Sequence, residues 1–138
     1  MGRAPMVIAL SVAVGVAGAL LTRYLVGRLE RARPDLAPDA YWALGVLGLL
    51  PAWLVEFVAL LDRLGRARIP DFAIASWWTL SSAAAVVGVI AGHARLRRLA
   101  ADEAAPPPAR RCWLLGVLTL PGAWALATAG LLVAWARR

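Results

Sequence analysis

The chain has 138 residues, 62% of them hydrophobic, and a formal net charge of +7. An ordinary soluble domain carries about 45–50% apolar residues, so a water-soluble fold is excluded, and the length suits a single domain. The positive charge is carried by Arg alone, with no Lys. Because these Arg residues flank apolar blocks, their expected partners are anionic lipid head groups, not nucleic acid.

A membrane span needs about 20 mostly apolar residues. Four blocks qualify, at roughly 5–26, 41–61, 72–93 and 112–135. The expected fold is an all-α integral membrane protein, one domain of four transmembrane helices over residues 1–138. The expected location is a bacterial inner (cytoplasmic) membrane.

The first block opens with Arg3, an apolar run and small residues near Ala17 and Ala19. That pattern is similar to a cleavable leader. The run continues to Val26 and has a counterpart later in the chain, so it is read as the first span. Ser11, Gly15, Gly18, Ala19 and Thr22 give it a face of small residues on which a second helix can approach closely. Its basic tail, RYLVGRLERARP, keeps Leu at helical spacing and predicts an amphipathic extension near the interface, ended by Pro34.

The second block holds WALGVLGLLPAW at 42–53, and the fourth holds WLLGVLTLPGAW at 113–124. Aligned at an offset of 70 or 71, Leu10-Ser11 meets Leu80-Ser81, Gly18 meets Gly88, and Arg23 meets His93. In the same alignment Trp42 meets Trp113, Gly45 meets Gly116, and Trp53 meets Trp124. This predicts two helical hairpins, about 8–61 and 78–135, repeated in parallel orientation about an axis along the membrane normal. Pro51 and Pro121 should kink the second and fourth helices at matching depth.

Glu56 is the carboxylate well inside a span. It lies about 9 Å from the end marked by Asp62 at 1.5 Å per residue. Counted from the same face, Ser11, Ser76, Thr79 and Thr128 fall at about 8–12 Å, a candidate polar layer around it. An intramembrane ionisable group is a functional hypothesis by default, here a proton or cation site. The bland alternatives are a protonated or hydrogen-bonded carboxyl that fixes helix register, and a Glu that snorkels to the interface. Ala127 stands at the matching position of the second copy.

The third block repeats small residues at Ala84, Gly88 and Gly92, so the first and third helices are expected to meet, or else one of these faces packs against another subunit. His93 ends this block. It is a candidate axial ligand for a haem or chlorophyll-type pigment, or else a polar anchor in place of Arg23. The tail HARLRRLAADEAAPPP should extend the helix until the Pro106–Pro108 run. Cys112 opens the fourth block as a small interfacial residue; one Cys excludes an internal disulfide. No metal site can be built from one His and scattered carboxylates, and no nucleophile–base set or phosphate loop is visible. An enzyme is therefore not expected.

Trp42, Trp113 and Trp135 are expected as interfacial anchors, with Arg23, Arg95, Arg97 and Arg98 at the basic face. Trp53 and Trp124, some 16–18 Å deep, should pack inside the bundle or against lipid tails. Nine Arg on the loops after spans one and three face six on the opposite side. That bias puts the long loops in the cytoplasm and both termini outside.

GALLTRY, residues 18–24, resembles the Gly-Ala-x-x-Arg-Tyr segment that opens small four-helix fluoride channels. Those channels also carry an Asn and a Phe/Thr-rich third helix; this chain has no Asn, and its third helix reads ASWWTLSSAAAVVG. Small multidrug transporters share the length and the single buried Glu, but theirs lies in the first helix. The chain is assigned to neither. The expected function is an accessory or structural subunit in a larger membrane complex, partnered by lipid and by other subunits or itself. The alternatives are a small oligomeric transporter or channel centred on Glu56, and a pigment- or haem-binding subunit using His93.

Overall fold

A computed structural model of the chain describes residues 3–69, 71–102 and 107–137. Pro106 and Arg138 lie outside the described residues. The helices are α1 (Arg3–Ala32), α2 (Pro38–Arg66), α3 (Phe72–Asp102), α4 (Ala109–Val117) and α5 (Pro121–Ala136), with no strand among the described residues. α1, α2, α3 and the α4–α5 segment Ala109–Ala136 are each long and apolar enough to cross a membrane. They alternate in direction. The loops after α1 and α3 share one end, where Asp39 meets His93. The termini share the other end with the α2–α3 loop, where Arg137 meets Asp71.

Helix boundaries follow proline. α1 stops at Ala32, two residues before Pro34, since the residue preceding a proline is pushed out of the helical region. α2 and α5 open on Pro38 and Pro121, where the missing N–H costs no helical bond. α1 and α3 run past their apolar spans without interruption to Ala32 and Asp102. These basic tails do not lie apart as interfacial helices. Val26 and Leu96 are buried with Tyr41, Cys112 and Trp113, and Leu29 packs against that cluster. An inward apolar stripe keeps the tails in the bundle.

The two prolines act differently. α2 runs through Pro51 as one helix. The fourth segment breaks at Leu118–Leu120, and α5 restarts at Pro121. At the break the Thr119 hydroxyl donates to the Gly116 carbonyl at 2.7 Å, and the Thr119 N–H donates to the same oxygen at 3.2 Å. Such local bonding tightens the turn and competes with helix continuation. The matching residue beside Pro51 is Gly48, which has no hydroxyl.

α2 and α4 cross at glycine. A Cβ added to Gly45 would run into the Trp113 carbonyl, and one added to Gly116 would run into the Trp42 carbonyl. The small faces of α1 and α3 do not turn toward each other, contrary to expectation. Gly15 faces Ala52 and Leu49, and Gly18 faces the Gly48 backbone. Gly88 and Gly92 face Thr119 instead. The glycines of each small face lie chiefly against the neighbouring helix of their own hairpin, where the covalent loop already holds two helices side by side, and Gly92 also meets the Trp42 indole. Ala84 packs against the cluster of Ala85, Leu120 and Ala123.

Candidate functional site: the Glu56 carboxyl

Glu56 sits on α2 and is fully buried. Ser11 of α1 donates to Oε1 at 2.9 Å. Thr128 of α5 lies 2.7 Å from Oε2 and 3.0 Å from Oε1. Among the described residues no cation lies within 4.0 Å of the carboxyl. A buried charge without a counterion is costly unless hydrogen bonds compensate it, and here two hydroxyls supply them.

Each hydroxyl has a second acceptor. Ser11 Oγ is 2.8 Å from the Ile8 carbonyl, and Thr128 Oγ1 is 2.9 Å from the Trp124 carbonyl. A hydroxyl has one proton to give and lone pairs to receive. With Glu56 ionised, both hydroxyls can point at it. With Glu56 carrying a proton, that proton can go to Thr128, whose own hydrogen turns to the Trp124 carbonyl. Both protonation states are hydrogen-bonded without any heavy atom moving.

Trp124 closes the site, its indole N–H donating to Ser11 Oγ at 3.1 Å. Sequence reasoning placed this ring inside the bundle or against lipid tails and did not link it to Ser11. A similar bond lies on the far side of the bundle. Trp53 N–H donates to Ser81 Oγ at 2.9 Å, and Ser81 donates to the Ala123 carbonyl at 2.7 Å.

The polar layer is smaller than expected. Ser76 and Thr79 are exposed and bond the carbonyls of Phe72 and Ala75 in their own helix. They share depth with Glu56 but point away from it. The site draws on α1, α2 and α5 only.

His93 is one-third exposed, with Nε2 3.3 Å from Asp39 Oδ1. Its ring meets Trp42 edge-on at 5.1 Å. The expected anchors divide. Trp113 is buried, donates to Thr22 Oγ1 at 2.9 Å, and lies 5.9 Å beneath the Arg23 guanidinium. It is a bundle residue, since Thr22 supplies the acceptor its N–H needs. Trp42 N–H is buried beside Gly92 without an acceptor. Trp135 is about half exposed. Arg95, Arg97 and Arg98 are exposed on the α3 tail, and Cys112 is fully buried in the bundle.

Toward the end that carries the termini, a cavity of ≈ 780 Å³ opens between α1, α2 and α5. Val7, Ala59 and Leu131 are among its lining residues. They stand one helical turn beyond Ser11, Glu56 and Thr128 respectively, so the cavity ends one layer of side chains above the carboxyl. Among the described residues no group of three metal-ligating side chains occurs.

No family model matches this chain, and neither a characterised protein nor a solved structure matches it.

Proposed function

We propose that this chain is a small, non-catalytic integral membrane protein serving as a structural or accessory subunit of a membrane complex. The observation that carries this reading is the internal spending of the Glu56 carboxyl. Its oxygens are taken by hydroxyls from two other helices, which makes it a pin through α1, α2 and α5. The bundle below is shut by glycine contacts at Gly45, Gly116 and Gly18. Long apolar side chains cover the outer faces of α1 and α3, among them Leu10, Val16, Leu20, Val86 and Ile90, and these are available to lipid or to other subunits.

The two hairpins are read as parallel copies about a pseudo-twofold axis. Matched contacts support this. Gly45 and Gly116 each meet the other copy's Trp carbonyl, Trp53 and Trp124 each donate to the other copy's Ser, and Gly18 and Gly88 each meet their own hairpin's neighbour. Mild-detergent purification tests the functional reading. Stoichiometric co-purification of larger membrane subunits is expected, and a protein that is always alone would sink it.

A second reading keeps one specific observation: the cavity that stops one turn above a carboxyl able to hold or release a proton in place. It makes the chain an oligomeric proton or cation transporter. In liposomes that reading requires flux that is lost in Glu56→Gln; unchanged flux in the variant removes it.

A further inference from the structure

The cavity at the terminal end has an uneven set of charges. Arg66 is paired with Asp62 at 3.0 Å, and Asp71 is paired with Arg137 at 3.2 Å. Arg3 of α1 and Arg63 of α2 also line the cavity. Among the described residues neither has an acidic partner within 4.0 Å. Two uncompensated guanidiniums therefore face one space from two helices. Guanidinium groups bind phosphate oxygens in a forked, charge-assisted geometry.

Beneath these charges the walls become apolar, through Val7, Ala59, Ile74 and Leu131, with Trp135 at the side. Half-exposed Trp marks the head-group level of a bilayer. On the membrane reading, the cavity would present cations at the depth of lipid phosphates and apolar walls just below. Its volume of ≈ 780 Å³ falls within the range of about 300–1,000 Å³ typical of small-molecule sites.

We propose that this cavity holds the phosphodiester head group of an anionic phospholipid, gripped by Arg3 and Arg63, with the start of its acyl chains over Val7 and Leu131. The proposal rests on the membrane insertion read above. A neutral zwitterionic lipid fits less well, because its own cation would face the two free guanidiniums. A free anion would leave the apolar floor uncovered.

The test uses the full chain in vesicles of phosphatidylcholine with and without phosphatidylglycerol, followed by detergent release and native mass spectrometry. Retained phosphatidylglycerol is expected on the wild type. Retention should fall roughly tenfold in Arg3→Gln/Arg63→Gln, the loss expected for about 1.4 kcal/mol. It should persist in Arg97→Gln/Arg98→Gln at the opposite end. Equal retention by the Arg3/Arg63 variant overturns the proposal. Displacement of the lipid by inorganic phosphate at matched concentration overturns the assignment to lipid and makes the ligand a free phosphate. An alkaline carbonate wash separates the two levels. Protein that stays in the membrane yet shows no Arg-dependent retention refutes this site alone; protein released by the wash refutes the membrane reading with it.

Discussion

Substituting Glu56 separates its charge from its shape. Gln keeps one acceptor and adds an N–H donor, so Thr128 and Ser11 both remain bonded. Leu removes the acceptor altogether, although each hydroxyl can fall back on its own helix carbonyl. Glu56→Gln should hold thermal stability in detergent within about 0.5 kcal/mol, and Glu56→Leu should lose about 1–2 kcal/mol. A larger loss for Gln would mean the charge itself is required. The second residue-scale prediction concerns Trp42. Its indole lacks the acceptor that Thr22 gives Trp113, because the matching position is Gly92. A Cβ at Gly92 would meet Thr119 Cγ2 at 2.5 Å, so Gly92→Ser alone should destabilise. Paired with Thr119→Ser, which removes that methyl and keeps the hydroxyl, it should recover stability and add about 1 kcal/mol from the new bond. Melting curves of the single and double variants check this. Glu56, Ser11 and Thr128 were legible in the sequence because depth along a helix is a matter of counting. Direction around the helix was not. A membrane span is apolar on every side, so no hydrophobic stripe marks the inner face, and Ser76 and Thr79 passed the same count while facing outward.

Among elements, the glycine crossing of α2 and α4 leaves no room for an added side chain. Adding one methyl at Gly45 or Gly116 strikes a backbone carbonyl of the facing helix, which cannot rotate away. Gly45→Ala and Gly116→Ala should each cost about 1–3 kcal/mol or more as the helices are forced apart. Gly122 and Gly27 have nothing within 4 Å of an added Cβ. Alanine there should be neutral or stabilise by up to about 1 kcal/mol through helix propensity. A thermal-shift series over these four positions would show the contrast, and a flat series would contradict the crossing. The spans and their basic continuations were legible from apolar length and Leu spacing. The break at Leu118–Leu120 was not, because the prolines predict matching kinks. What differs is Thr119 against Gly48, a hydroxyl whose local bond has no counterpart in α2.

For the whole molecule, the alternating helices put Ile69 and Asp35 at opposite ends, both exposed. The Arg bias of nine against six predicts that the Asp35 end faces the cytoplasm. Ile69→Cys should react with a membrane-impermeant maleimide on intact cells, and Asp35→Cys only after permeabilisation, with the buried Cys112 silent in both. The reverse pattern would invert the orientation, and labelling of both sites on intact cells would mean the weak bias lets the chain insert both ways.

The exchange between Trp53 and Ser81, and between Trp124 and Ser11, reaches further than packing. On the proposed repeat, a hairpin that lends an indole and borrows a hydroxyl would be half of a dimer. Two separate copies of the first hairpin would carry every group the exchange needs, with glycine against glycine at the centre. In such a pair each change of sequence is made twice, and two carboxyls would stand where Glu56 and Ala127 now stand. Joining the halves in one chain lets a single carboxyl remain, and lets Thr128 stand across from it where the other copy has Phe57. The asymmetry at the centre of this protein is one that a pair of identical chains could not encode.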